Sequence, residues 1–161
     1  MKVVFLDVDG VLNTFKTRSE QERAGGFEAY RRNPIHREFV GELSRVLEAT
    51  GARIVWSSTW RRWHSPEALD RRLAVLGCVT TSLGSTPLLG SPRAVEIRAW
   101  LKDHPEVTAF VTIDDDPGAA VTPETHVECW DATVDGGGLD AEAADRAIRI
   151  LGAAEPERRT A

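Results

Sequence analysis

Val3-Val4-Phe5-Leu6-Asp7-Val8-Asp9-Gly10-Val11-Leu12 carries the pattern from which the fold follows. Its first four residues are β-branched, aromatic or aliphatic without a polar interruption, the pattern of a short strand buried on both faces. Strands of that kind belong to parallel sheets, whose crossover helices cover each side. The run ends at Asp7, and residues two apart in an extended chain point the same way, so Asp7 and Asp9 share a face. Gly10 lets the chain turn away. Two carboxylates this close raise each other's proton affinity unless a cation sits between them. Magnesium, which prefers oxygen ligands and retains water, answers that need.

Outward from this stretch the chain alternates strands with amphipathic helices. Asn13 to Asn33 is polar, carries arginines and Gly25-Gly26, and shows no clean period, which predicts a loop or a small irregular insertion. Asn33-Pro34 reads as an N-cap and first-turn proline for a helix whose apolar stripe is Phe39, Leu43, Val46 and Leu47, closed by Gly51. Arg53 to Trp56 is a second strand running into Ser57-Ser58-Thr59. Ser65-Pro66 opens a helix through Leu76, and a weaker apolar patch follows around Cys78 to Thr80, the place of a third strand. Ser91-Pro92 opens another helix, with Val95, Ala99 and Trp100 on one face. Val107 to Ile113 reads as a fourth strand ending in Asp114-Asp115-Asp116-Pro117, and His126 to Trp130 as a last one. Asp140 caps a final helix with the stripe Ala144, Ala147, Ile148 and Leu151, and Gly136-Gly137-Gly138 before it reads as a flexible turn. The expected organisation is one domain over residues 1–153, with 13–33 as a small insertion or flap and 154–161 as a polar tail.

Composition agrees. With 161 residues, 42% apolar and 28% charged, the chain suits one globular domain. No apolar run approaches the length of a membrane span, and Asp7 interrupts the first run too early for a secretory leader. Cys78 and Cys129 lie in no metal-binding or redox spacing, so a cytoplasmic protein with reduced thiols is expected. The formal net charge of −5 argues against a sheath for DNA but not against an anion pocket. Among the basic residues 17 are arginine, against Lys2, Lys16 and Lys102. Arginine's planar fork grips phosphate where lysine is a point charge.

In open parallel sheets ligands bind beyond the carboxyl ends of the strands. At the second of these ends, the hydroxyls of Ser57, Ser58 and Thr59 are able to donate to a phosphoryl oxygen or to cap a turn. Arg93 begins a helix, where the dipole and free amides already favour an anion, and Arg98 lies further along it. Asp114, Asp115 and Asp116 repel one another unless solvated or bound to a cation.

In this order, an aspartate pair on the first strand, a hydroxyl on the second, a basic residue before the fourth and acids ending it resemble the haloacid dehalogenase (HAD) superfamily of phosphohydrolases. The similarity spans positions 7 to 116. Within it, the opening stretch, Trp56-Ser57-Ser58-Thr59-Trp60-Arg61 and Glu96-Ile97-Arg98-Ala99-Trp100-Leu101 look most like small domains linked to RNA repair. The resemblance implies an α/β fold, a doubly wound, Rossmann-like parallel sheet with at most a minimal cap insertion. It implies a magnesium-dependent phosphatase in which Asp7 attacks phosphorus and becomes an aspartyl-phosphate. Asp9 would protonate the leaving oxygen and then deprotonate water. Ser58, with Ser57 as the alternative, would bind a phosphoryl oxygen, and Arg93 would offset equatorial charge. Magnesium would be held by Asp7, Asp9 through its carbonyl, Asp114 and Asp115, with Asp116 further out. Gly10, Ser57, Thr59, Arg61 and Arg62 are the candidate substrate-binding residues. The basic position is usually lysine in the superfamily and is Arg93 here; Val11 stands where many relatives have threonine.

The expected substrate is a phosphorylated one, a nucleic-acid end or a nucleotide, because only a short segment separates the first strand from the first helix and leaves an open site. Lys16, Arg18, Arg23, Arg31 and Arg32 lie in that segment, and Trp60-Arg61-Arg62-Trp63-His64 follows the second strand. Arginine interleaved with tryptophan pairs with phosphates and stacks on unpaired bases, or else the rings pack the core edge. The competing readings are a phospho-aspartate receiver and a catalytically inactive phosphate-binding module. A receiver wants an isolated aspartate after its third strand, and none follows Arg53 to Trp56 or the Cys78 patch. The full set of acids counts against an inactive module. No Gly-x-x-x-x-Gly-Lys loop occurs, and His36, His64, His104 and His126 are too scattered for zinc.

Overall fold

The computed structural model describes residues 1–32, 34–90, 92–129 and 137–153, with the side chains of 27, 29–32 and 153 excepted. The polar tail, Asn33, Ser91 and most of the stretch from Trp130 to Gly138 lie outside the described residues, as do the side chains of Arg31 and Arg32.

Four parallel strands form one sheet in the order β2-β1-β3-β4, with β1 Lys2–Leu6, β2 Arg53–Trp56, β3 Ala109–Asp114 and β4 His126–Glu128. Val3 to Leu6 are wholly buried, as a central strand requires. The two-residue period divides them. Val4 and Leu6 join Ile54, Trp56, Val111 and Ile113 in the larger core, whereas Val3 and Phe5 join Val55, Ile97 and Trp100 on the other face. Phe5 meets Trp100 edge-on at 5.4 Å and Phe110 at 5.8 Å.

Helix α2 (Arg37–Thr50) covers the first face through Val40, Leu43 and Val46, beside α5 (Ala141–Ala153), which contributes Ala144, Ala147 and Leu151. Gly51 ends α2 in the left-handed conformation, φ 66°, with its N–H on the Leu47 carbonyl. The Asp140 carboxylate caps α5 through the Ala143 N–H at 2.8 Å. Helix α3 (Pro66–Val75) starts at a Ser65 cap, as the Ser-Pro signal predicts. Helix α4 (Arg93–Lys102) covers the second face through Ala94, Ile97 and Trp100.

Four expectations are corrected. Residues 15–32 are not irregular; Phe15–Arg32 is helix α1, broken at Gly26, with φ 73°. Its described side chains are mostly exposed, so it has no apolar stripe, and the Thr14 and Thr17 hydroxyls cap its start reciprocally. Helix α2 begins at Arg37 behind His36 rather than at Pro34. No strand forms at Cys78 to Thr80, because Cys78 is buried but Val79 is 88% exposed. The chain instead meets the β2 edge later, where Leu83 N–H bonds the Ile54 carbonyl and Ser85 bridges Trp56. Val95 faces solvent, since the buried face of α4 recurs at Ala94, Ile97 and Trp100.

Among the described residues no helix is long and apolar enough to cross a membrane. Register completes the frame for the site. Leu6 lies opposite both Trp56 and Ile113, so Asp7, Ser57 and Asp114 emerge level at one sheet edge.

Candidate active site

Asp7 leaves β1 with its N–H on the Ile113 carbonyl at 3.1 Å, and Ser57 follows β2 with its N–H on the Leu6 carbonyl at 2.9 Å. The next residues turn at once, with the N–H groups of Val11, Leu12 and Asn13 converging on the Val8 carbonyl. Gly10 takes φ 77° in that turn, and a methyl on it would overlap the Asp115 carboxyl. Only glycine lets the acidic loop after β3 lie against the turn after β1.

Asp7, Asp114 and Asp115 each offer a carboxylate oxygen within 4.8 Å of the other two. Asp7 Oδ2 faces Arg93 Nη1 at 2.9 Å, and the same Nη1 makes a short ion pair with Asp114 Oδ2. Asp114 is fully buried and also accepts the Asp116 N–H at 3.0 Å. Burial, followed by the Asp7 charge, pushes the Asp114 pKa up to about 7. Burial raises Asp7 as well, against the opposing pull of Arg93 and a Ser58 hydrogen bond. Asp115 is raised by burial and by Asp7. For Arg93, burial pulls the pKa down, but Asp7 and Asp114 outweigh it and hold it above the ordinary value. Arg93 thus stays a cation between two acids.

Asp7 Oδ1 is buried and has no hydrogen-bond partner among the described residues. An orphaned carboxylate oxygen costs free energy unless something positive meets it. The carboxylates of Asp7, Asp114 and Asp115, all-oxygen donors within 4.8 Å of one another, match a hard divalent cation, so these residues fit magnesium.

The structure brings Ser58, not Ser57, to Asp7. Ser58 is the hydroxyl that pulls the Asp7 pKa down against its burial, and its oxygen accepts the Trp60 N–H at 3.3 Å. Ser57 Oγ is buried without a partner among the described residues. The Asp9 carboxylate stands outside the acidic cluster and is exposed, accepting Asn13 Nδ2 at 3.0 Å and Trp60 Nε1 at 2.8 Å. The three acids whose carboxylate oxygens lie within 4.8 Å of one another are thus Asp7, Asp114 and Asp115, and Asp9 is not one of them. Asp116 turns away to cap Gly118 N–H at 2.8 Å.

Thr59 begins a short 3-10 turn, Thr59–Arg62, and is exposed. The Arg61 side chain is only 4% exposed, ion-paired to Glu96 and bonded to the Ser58 carbonyl at 2.7 Å. It braces the Ser58 backbone instead of pointing free into solvent. Arg62 is exposed. Arg98 reaches the Val121 carbonyl at 2.7 Å, away from the cluster. Trp56, within β2, is core, its Nε1 on buried Asp70 at 2.9 Å.

Sequence reading missed Asn13, Trp60 and Glu96 as site residues. Glu96 is a buried acid on an otherwise apolar helix face, and its Oε1 accepts Leu89 N–H at 2.8 Å. An acid three residues after Arg93, flanked by Val95 and Ile97, was the available signal.

Residues 3–141 match the family described as the HAD domain in Swiss Army Knife RNA repair proteins. No curated protein and no solved structure matches the chain. With Asp7, Ser57 and Asp114 level at the sheet edge, Arg93 beside them and the match running through most of the sequence, the chain belongs to the HAD domains of Swiss Army Knife RNA repair proteins.

Proposed function

We propose that this domain is a magnesium-dependent phosphatase that removes a monoester phosphate from a nucleic-acid end or nucleotide through an aspartyl-phosphate on Asp7. Membership of the HAD superfamily supports a phosphohydrolase-type activity. The observation that carries the finer reading is the division of labour on Asp7. Oδ2 is pinned by Arg93, while buried Oδ1 has no hydrogen-bond partner among the described residues. A nucleophile needs one oxygen fixed and the other unencumbered.

Asp7 attacks phosphorus, the ester P–O bond breaks, and the leaving oxygen takes a proton from Asp9. Water then attacks the aspartyl-phosphate, Asp9 takes the water proton, and phosphate leaves with Asp7 restored as carboxylate. Asp9 reaches the reacting atoms by turning from Trp60 and Asn13, which hold both of its oxygens in the free protein. Ser58 donates its hydroxyl to a phosphoryl oxygen, and Arg93 balances the charge spread over the equatorial oxygens. Asp7, Asp114, Asp115 and the Asp9 carbonyl would hold the magnesium. When bound, the metal supplies the positive charge that lets an anionic nucleophile approach an anionic phosphate.

The test is phosphate release from an aryl phosphate and from oligonucleotides phosphorylated at either end, with and without magnesium, beside Asp7→Asn. Turnover that needs both magnesium and Asp7 is expected. No turnover on any substrate, or turnover that survives Asp7→Asn, refutes the reading.

A further inference from the structure

A cavity of about 290 Å³ adjoins the Asp7 cluster, with Thr59, Arg61, Arg62, Pro92, Arg93 and Asp116 in its walls. Arg93 belongs to both places, since its Nη1 is 2.9 Å from Asp7 Oδ2. Nothing in the chemistry at Asp7 requires this second space.

Its lining favours an anion on several independent counts. Arg62 is exposed and makes no hydrogen bond or ion pair with the described residues. The Arg61 side chain is 96% buried by its 4% exposure, and its Nε has no partner among the described residues. Pro92 precedes the ten-residue helix α4 and provides no side-chain cap, so the positive end of that helix adjoins the cavity. The acids on the wall are otherwise engaged: Glu96 pairs with Arg61 and the Leu89 N–H, and Asp116 caps Gly118. Leu88, 49% exposed on the same wall, offers apolar surface.

We infer that this cavity binds the phosphate next to the reacting one, the phosphodiester of a strand end, with the intervening sugar against Leu88. The inference rests on the phosphatase reading and narrows its substrate. Two anions of one substrate then flank Arg93, one at Asp7 and the other beside Arg62 and the α4 N-terminus. A strand end offers a diester one nucleotide from its terminal phosphate, and a mononucleotide offers none. Arg62 supplies the freely presented charge, while Arg61, held by Glu96, shapes the wall.

The experiment compares kcat/KM in magnesium on an aryl phosphate, a nucleoside monophosphate, a nucleoside 3′,5′-bisphosphate and two trinucleotides, one phosphorylated at each end. A trinucleotide preferred over the monophosphate by roughly tenfold or more is expected, from one charge-assisted contact. Arg62→Ala should erase most of that preference through KM, lowering the trinucleotide far more than the aryl phosphate. Rising salt should erode it as well. Equal rates on monophosphate and trinucleotide, or an Arg62→Ala loss that is uniform across substrates, overturns the inference while leaving the phosphatase reading intact. Preference for the bisphosphate alone overturns the assignment to a strand. Should no substrate turn over, the phosphatase reading fails by itself, and titration with the same ligands followed by tryptophan fluorescence decides the cavity. Tighter binding of the trinucleotide supports it and equal affinities refute it.

Discussion

Replacing Arg93 with methionine removes the cation shared by Asp7 and Asp114 and keeps a long apolar stem. Arg93 is 15% exposed, and Asp114 is fully buried, so the pair is little screened by solvent. Deleting one member of a buried ion pair costs about 3–5 kcal/mol, because the other is left uncompensated. For a domain of this size that corresponds to a fall in Tm of roughly 6–20 °C. The loss depends on pH. Asp114, whose pKa is pushed up to about 7, is mostly ionised at pH 8 and mostly protonated at pH 5. Arg93 therefore faces more negative charge at pH 8, and its removal should hurt most there. The assay is thermal unfolding of the wild type, Arg93→Met and Arg93→Lys in EDTA at pH 5 and pH 8. Arg93→Met should lose at least twice as much Tm at pH 8 as at pH 5, and Arg93→Lys should recover much of it. An equal loss at both pH values, or none at pH 8, refutes the charge argument.

Other outcomes follow from the same geometry. The metal-free wild type should lose stability as pH rises from about 4 through 7, because Asp114 binds its proton more tightly folded than unfolded and that contribution vanishes above its folded pKa. Magnesium should flatten or reverse the trend, and melting curves across pH with and without it read this directly. Ser58→Ala should lower kcat by about a hundredfold, the loss expected on removing one positioned donor to a phosphoryl oxygen. Ser57→Ala should cost much less, since Ser58 and not Ser57 pulls on the Asp7 carboxyl; steady-state kinetics on the aryl phosphate separate the two. Glu96→Gln should destabilise by about 3 kcal/mol by leaving the Arg61 guanidinium buried and unpaired, a loss measurable by denaturant titration. Arg61→Met in the Glu96→Gln background should return part of it.

The strands were legible because burial on both faces fills them mostly with β-branched, aromatic and aliphatic residues, and a parallel register then levels the residues that end them. Asp7, Ser57 and Asp114 follow from that alone. Helix α1 was not legible because the exposed positions around Thr17 give no period; it rests on the Thr14–Thr17 cap and on pairs such as Arg18–Glu22. The edge pairing at Leu83 to Thr86 was hidden for a similar reason, since backbone hydrogen bonds to β2 carry it and not a hydrophobic run. At the site the acids stood out by position, whereas the Arg61–Glu96 pair joins a turn to a helix 35 residues away. Trp60 was read as a stacking or edge residue, and its hydrogen bond to Asp9 depends on how the turn after β2 folds over the turn after β1.

The proposed route requires Asp7 to become covalently phosphorylated. The direct measurement is mass spectrometry of acid-quenched protein incubated with substrate and magnesium, using Asp9→Asn to slow hydrolysis of the intermediate. One added phosphoryl group, mapped to the peptide containing Asp7 and absent in Asp7→Asn, is the predicted result. A wild-type protein that turns substrate over while Asp9→Asn carries no adduct, or carries it on another residue, contradicts the account.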